Sequence, residues 1–284
     1  MKISKHCLPC LLKQIIKTAD IAGTENLDDI FHETFEFLSA ADFSKSSPDI
    51  SGNIYRIFSE KTGIYDPFRE LKTYYNRLFL EKTPLFEEKI HSFRDAVKLA
   101  VLGNIVDFSA IRVDIDSEIE KLFPAAESID FTIDDSDELL EDIRNAETLL
   151  YLGDNCGEIC IDKILIKQIH KINPECKVYF GVRGAPAAND NIAEDALFVG
   201  MDEVAEIIGN GDCSLGTVLS RNSKDFLRIY KSADVIISKG QGNYESLSEE
   251  EENIYFLFMV KCPVIAEYAG VPERSLLCAK NKKR

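Results

Sequence analysis

Up to about residue 122 apolar positions recur at the spacing of one helix face: Leu11, Leu12, Ile15, Ile16 and Ala19, then Phe31, Phe35 and Leu38. Gly23, Ser47-Pro48 and Asp66-Pro67 cut this series into separate helices. Asp66-Pro67 reads as an N-cap followed by proline at the first helical position, opening a helix through Leu71, Tyr75 and Leu78. A further helix is predicted from about Leu85 to Leu102, stopped by Gly103-Asn104. The period then changes. Ile129, Phe131 and Ile133 alternate with Asp130 and Thr132, the pattern of a short, half-buried edge strand.

From residue 146 onward, apolar runs of strand length alternate with helical patterns. Strands are expected over 148–152, 177–182, 234–238 and 254–260, and helices over 157–171, near 191–208, 216–232 and 243–251. This alternation predicts an α/β fold: a Rossmann-like α/β/α lobe with a mostly parallel sheet, preceded by an all-helical lobe. The expected division is 1–122 helical, 123–145 a joint, and 146–284 the α/β lobe that carries the chemistry.

Composition narrows the function classes. A chain of 284 residues with 45% hydrophobic and 29% charged residues has the balance of an ordinary globular protein. Its formal charge of -16 argues against nucleic acid as a partner, because phosphates must meet a basic face. No apolar run approaches the ~20 residues of a membrane helix, and no signal-like apolar core follows Met1–His6, so a cytoplasmic location without membrane contact is expected. Eight cysteines in a chain this long do not form a disulfide scaffold.

The candidate chemistry gathers at strand ends. The run 148–152 stops at Gly153-Asp154-Asn155-Cys156-Gly157-Glu158, the run 177–182 leads through Arg183-Gly184 to Asn189-Asp190, and the run 234–238 leads into Lys239-Gly240-Gln241-Gly242-Asn243. Open α/β folds bind ligands at this edge. Asp154, Asn155 and Asp190 have two readings: caps of the helices that follow, or oxygen ligands of a hard divalent cation. The coincidence of both loops with a lysine loop favours the site. Lys239 with Gly240 and Gly242 reads as a phosphate cradle or as a flexible turn with a solvated lysine. Arg183 would serve the same anion or form a surface salt bridge. Glu158 and Asp162 share a helix face at i,i+4 and are expected as supporting groups. Asn104 and Asp107 end a helix of the other lobe, where capping explains them as well as a reach toward the cleft. Cys7-x-x-Cys10 resembles half a zinc site without a second pair, so its role is structural or redox. Cys156 has no histidine near it in sequence and reads as a packed thiol.

These motifs, with Ala100–Asp107, together resemble the damage-control phosphatase family, formerly domain of unknown function 89. The Cys-x-x-Cys start points to its compact microbial branch. The resemblance implies a divalent metal (Mn, Co, Ni or Mg) held by Asp154, Asn155 and Asp190. Lys239 is expected at the phosphate, with Gly240, Gly242, Asn243 and Arg183 near it. The implied activity is a metal-dependent hydrolysis of small phosphometabolites, sugar or cofactor phosphates, some of them damaged. A carboxyl methyltransferase, or a non-catalytic metal- or metabolite-binding module, is the alternative. Asp114-Ile115-Asp116-Ser117 superficially resembles the Asp-x-Asp of haloacid-dehalogenase-type phosphatases, but Glu118 follows where a small residue is wanted.

Overall fold

A computed structural model describes residues 1–104 and 130–281. Asp107, the Asp114–Ser117 motif and the expected boundary at 122 lie outside the described residues. The helices that come first are α1 (Leu8–Ala22), α2 (Asp28–Ala40), α3 (Ser47–Thr62), α4 (Arg69–Glu87) and α5 (Phe93–Gly103). Asp66 does not cap α4 directly. Its Oδ1 accepts from Phe68 N at 3.1 Å in a turn, and the helix starts at Arg69. The single helix expected from Leu85 to Leu102 is two, because Ser92 opens a new one by accepting from Asp95 N at 3.1 Å.

Among the described residues seven strands form one sheet in the order β1-β7-β6-β5-β2-β3-β4. They are β1 (Phe131–Asp134), β2 (Thr148–Leu152), β3 (Lys177–Val182), β4 (Glu206–Gly209), β5 (Val235–Lys239), β6 (Ile254–Met259) and β7 (Leu276–Lys280). β2, β3, β4, β5 and β6 pair in parallel. β7 pairs antiparallel with β6, and β1 pairs in parallel with β7 at the sheet edge. The helices between them are α6 (Ser136–Asn145), α7 (Glu158–Ile172), α8 (Ala193–Phe198), α9 (Lys224–Ser232), α10 (Gly240–Leu247) and α11 (Pro263–Ala269). The expected helix near 191–208 is cut short, because Gly200 takes a left-handed φ of 68° and the chain turns into β4. The helix expected over 216–232 starts only at Lys224, where Ser223 caps it.

Burial divides the helical segment in two. Leu11, Ile15, Ile30, Ile50, Ile54 and Phe58 form a core of their own between α1, α2 and α3. Tyr75, Phe79, Val97 and Leu102 of α4 and α5 instead join the main core, with Leu149, Tyr151, Ile161 and Ile237. α5 therefore packs on the sheet at β6 and β7, α4 packs on α7, and Asn104 at the end of α5 reaches the carboxyl edge. β2 lies between β5 and β3, so the strand order reverses there, and a crevice opens where the connections part.

Candidate active site

The loops after β2 and β3 are stitched together by backbone. Cys156 N donates to Asn189 O at 2.9 Å, Asn191 N donates to Asp154 O at 2.9 Å, and Asn155 bridges Asp190. This pairing holds Asp154, Asn155 and Asp190 side by side, and all three are buried and line one cleft of about 290 Å³. The glycines at the loop are steric requirements. Gly240 has φ 80°, and a Cβ on it would lie 2.0 Å from Asp154 Oδ2.

Below the cleft floor runs a chain of buried polar contacts. Asn104, the last described residue of its segment, donates from Nδ2 to Asp154 Oδ2 and to Glu158 Oε2, both at 2.9 Å. Asn155 Nδ2 donates to the same two oxygens at 2.8 and 2.9 Å. Asn155 Oδ1 accepts from Asn189 at 2.7 Å. Glu158 Oε1 and Asp162 Oδ1 each accept from Lys239 Nζ at 2.5 Å, and Tyr151 Oη donates to Asp162 Oδ1 at 2.6 Å.

Lys239, expected at the phosphate, is therefore placed otherwise. Its side chain is fully buried and its ammonium is engaged by two carboxylates beneath the cleft. Asn243 is likewise internal: it donates to Lys239 O at 2.7 Å and accepts from Thr217 Oγ1 at 2.9 Å. Gly242 does reach the cleft wall. Arg183 is not at the surface. Its Nε donates to Asp190 Oδ2 at 2.7 Å, and its Nη2 lies 3.7 Å from Asp154 Oδ1, buried and without a hydrogen-bond partner. Cys156 is a packed, fully buried thiol whose pKa burial pushes well above its ordinary value. Cys7 is half-buried and Cys10 exposed, both as free thiols away from the cleft lining.

Electrostatics follow from burial. Burial first, then the charges of Asp190 and Glu158, pushes Asp154 up to about 7 against the pull of Arg183 and Lys261. Burial also raises Asp190, with Arg183 opposing it. Glu158 is pulled down despite burial, because Lys239 faces it, whereas Asp162 is raised by burial to about 6. In formal charge, four buried carboxylates (Asp154, Glu158, Asp162 and Asp190) face two buried cations, Arg183 and Lys239, a deficit of two positive charges that the raised carboxyl pKa values reflect.

That deficit is the charge of one divalent ion, and the donors suit a hard one: two carboxylates and the amide oxygen of Asn155. Asn104 Oδ1 is a further buried oxygen with no hydrogen-bond partner. Among the described residues no group of three or more His, Cys, Asp or Glu side chains is placed to hold a metal ion by itself. A cation held by Asp154, Asn155 and Asp190 would take its remaining ligands from water or substrate. The cleft wall also holds residues that the strand-end reading missed: Lys17 from α1, Tyr55 from α3, Gln241 from α10 and Lys261 just after β6. Lys261 obeys the same strand-end rule as the others. Gly153 is itself a steric requirement, since a Cβ there would lie 2.6 Å from Phe180 Cζ.

Comparison with known proteins identifies the family. A family model described as the damage-control phosphatase ARMT1-like domain matches residues 3–277. Damage-control phosphatase PH1575 of Pyrococcus horikoshii is 34% identical over 292 residues, with 99% of each chain covered. A damage-control phosphatase of Archaeoglobus fulgidus is 30% identical, with 95% of this chain and 96% of that protein covered. The crystal structure of PH1575, a DUF89 family protein, superposes with a TM-score of 0.90 at 33% identity over 99% of this chain and 100% of that one.

Proposed function

The chain belongs to the ARMT1-like damage-control phosphatase family, and on that premise we propose that it is a divalent-metal-dependent phosphatase of small phosphorylated metabolites. The observation that carries the metal dependence is the buried charge deficit of two beside an open set of oxygen donors. Asp154, Asn155 and Asp190 would hold the ion. When bound, it would polarise a phosphoryl oxygen and lower the pKa of a water held against it.

The protein's own groups do the rest. Arg183 Nη2, buried, without a hydrogen-bond partner and 3.7 Å from Asp154 Oδ1, is the donor that would meet a phosphate oxygen brought beside Asp154. Lys17 and Lys261 at the wall supply the cationic rim that the acidic floor lacks. Glu158, Asn104 and Lys239 do not touch the substrate. Asn104 fixes the direction of the Asp154 carboxylate, Glu158 holds Asn104 and Asn155 in place, and Lys239 balances the charge of Glu158, as outer partners of a metal ligand do.

The relatives in Pyrococcus horikoshii and Archaeoglobus fulgidus are both named damage-control phosphatases, which favours phosphate hydrolysis over methyl transfer. The test is release of inorganic phosphate from a panel of monoesters by metal-stripped protein, repeated with Mg, Mn, Co and Ni. The expected result is turnover with at least one metal and none in chelator. Equal turnover in chelator, or none with any metal, contradicts the proposal.

A further inference from the structure

The polar cleft does not end at the metal-binding loops. A second cavity of about 290 Å³ adjoins it, and Tyr55, Phe68 and Ala188 line both. The two chambers differ in chemistry. The first is walled by Asp154, Asn155, Asp190, Lys17 and Lys261. The second is walled largely by rings and alkyl groups, among them Phe58, Ile64, Tyr65, Ala185 and Pro186.

Three of the polar groups in that second wall are turned to protein partners. Thr18 Oγ1 donates to Gln14 O at 2.7 Å, Asp66 pairs with Lys72 at 2.7 Å, and Arg56 Nη2 lies 3.7 Å from Asp212. A ligand group entering here exchanges water for aromatic and aliphatic surface and finds few new hydrogen bonds. A wholly hydroxylated group would lose its hydration without replacement. A flat apolar ring would gain, since Tyr and Phe faces stack against it.

We infer that the side chamber receives the alcohol portion of the substrate, and that the preferred substrates are monoesters of alcohols carrying an aromatic ring, ahead of plain sugar phosphates. This inference rests on the phosphatase reading above and sharpens its substrate class. Tyr65 and Ala185 act in it as specificity residues, away from the reacting atoms.

The experiment compares kcat/KM for ethyl phosphate, 2-phenylethyl phosphate and glucose 6-phosphate in the metal-loaded protein. All three leave as alkyl alcohols, so differences report the chamber more than the chemistry. The phenylethyl ester is expected to exceed the ethyl ester and the sugar ester by at least about tenfold, the scale of one apolar group in a fitted pocket. That advantage should sit in KM. Ala185→Leu, which fills the chamber, and Tyr65→Ala, which removes a wall at an exposed position, should each bring the phenylethyl-to-ethyl ratio toward one. A ratio near one in the parent, or a ratio unchanged in both variants, overturns the inference. Should no ester be hydrolysed with any metal, the phosphatase reading fails by itself. Calorimetry then decides the chamber: tighter binding of 2-phenylethyl phosphate than of ethyl phosphate supports it, and equal binding overturns it.

Discussion

Lys239 shows how much a single residue's direction matters. Side chains alternate along a strand, so Lys239 shares a face with Val235 and Ile237, the face that the helix Glu158–Ile172 covers. Its ammonium therefore meets Glu158 and Asp162 rather than solvent or cleft. Removing one partner of a buried ion pair costs about 3–5 kcal/mol, because the other charge stays buried and unmatched. Lys239→Ala is accordingly expected to lower stability on that scale, read as a drop in the urea unfolding midpoint. An unchanged midpoint with a loss of turnover would return Lys239 to the phosphate. Glu245, on the cleft wall, gives a pH test. Burial raises its pKa from 4.5 to about 7. The folded state then holds a proton that the unfolded state has released, so this group costs stability as pH rises from about 4.5 to about 7, and the cost is constant above. Glu245→Gln should match the parent near pH 4 and be more stable at pH 8. A difference independent of pH between them would contradict the assignment.

At the level of elements, what was readable in the sequence follows from what each pattern reports. The strand ends at Asp154, Asp190 and Lys239 were legible because apolar runs stop there and turn residues follow. The edge strand at Phe131–Asp134 was legible from its alternation. β4 was hidden inside an apparent helix, since its short Glu-Ile-Ile-Gly run has no period of its own and only Gly200 marks the break. β7 was missed because it returns antiparallel after a turn at Arg274, φ 65°, against the parallel rule set by the strands before it. Nor did any pattern disclose that α1 and α3 roof the cleft, because Lys17 and Tyr55 sit among ordinary helix positions. The contact that seats α3 is testable. Gly52 lies in that helix, and a Cβ on it would come within 2.4 Å of Ser214 Oγ and 3.1 Å of Ser214 Cα. Helix propensity alone predicts that Gly52→Ala gains about 1 kcal/mol. The collision predicts a net loss of stability and a raised KM, as α3 is levered off the loop beneath it. A stabilised variant with parental KM would show that the roof is not held there.

Across the whole molecule, charge is distributed in two opposite senses. The chain carries -16 overall, and even its best-buried site is two charges short of neutrality. An acidic protein that acts on phosphate esters must first cancel its own field where the ester lies, and with Lys239 engaged by Glu158 and Asp162 that task falls to Lys17, Lys261, Arg183 and any bound cation. Among the described residues no helix is long and apolar enough to cross a membrane. The proposed function has one central requirement, a divalent ion between Asp154 and Asp190. Calorimetric titration of Mn²⁺ into metal-stripped parent and Asp154→Ala, with phosphate release followed on the same samples, tests that requirement most directly. The account predicts one site in the parent, loss of both binding and turnover in the variant, and a variant that remains folded because a carboxylate at a cleft leaves little cavity when truncated. Parental binding or parental turnover in Asp154→Ala would contradict it.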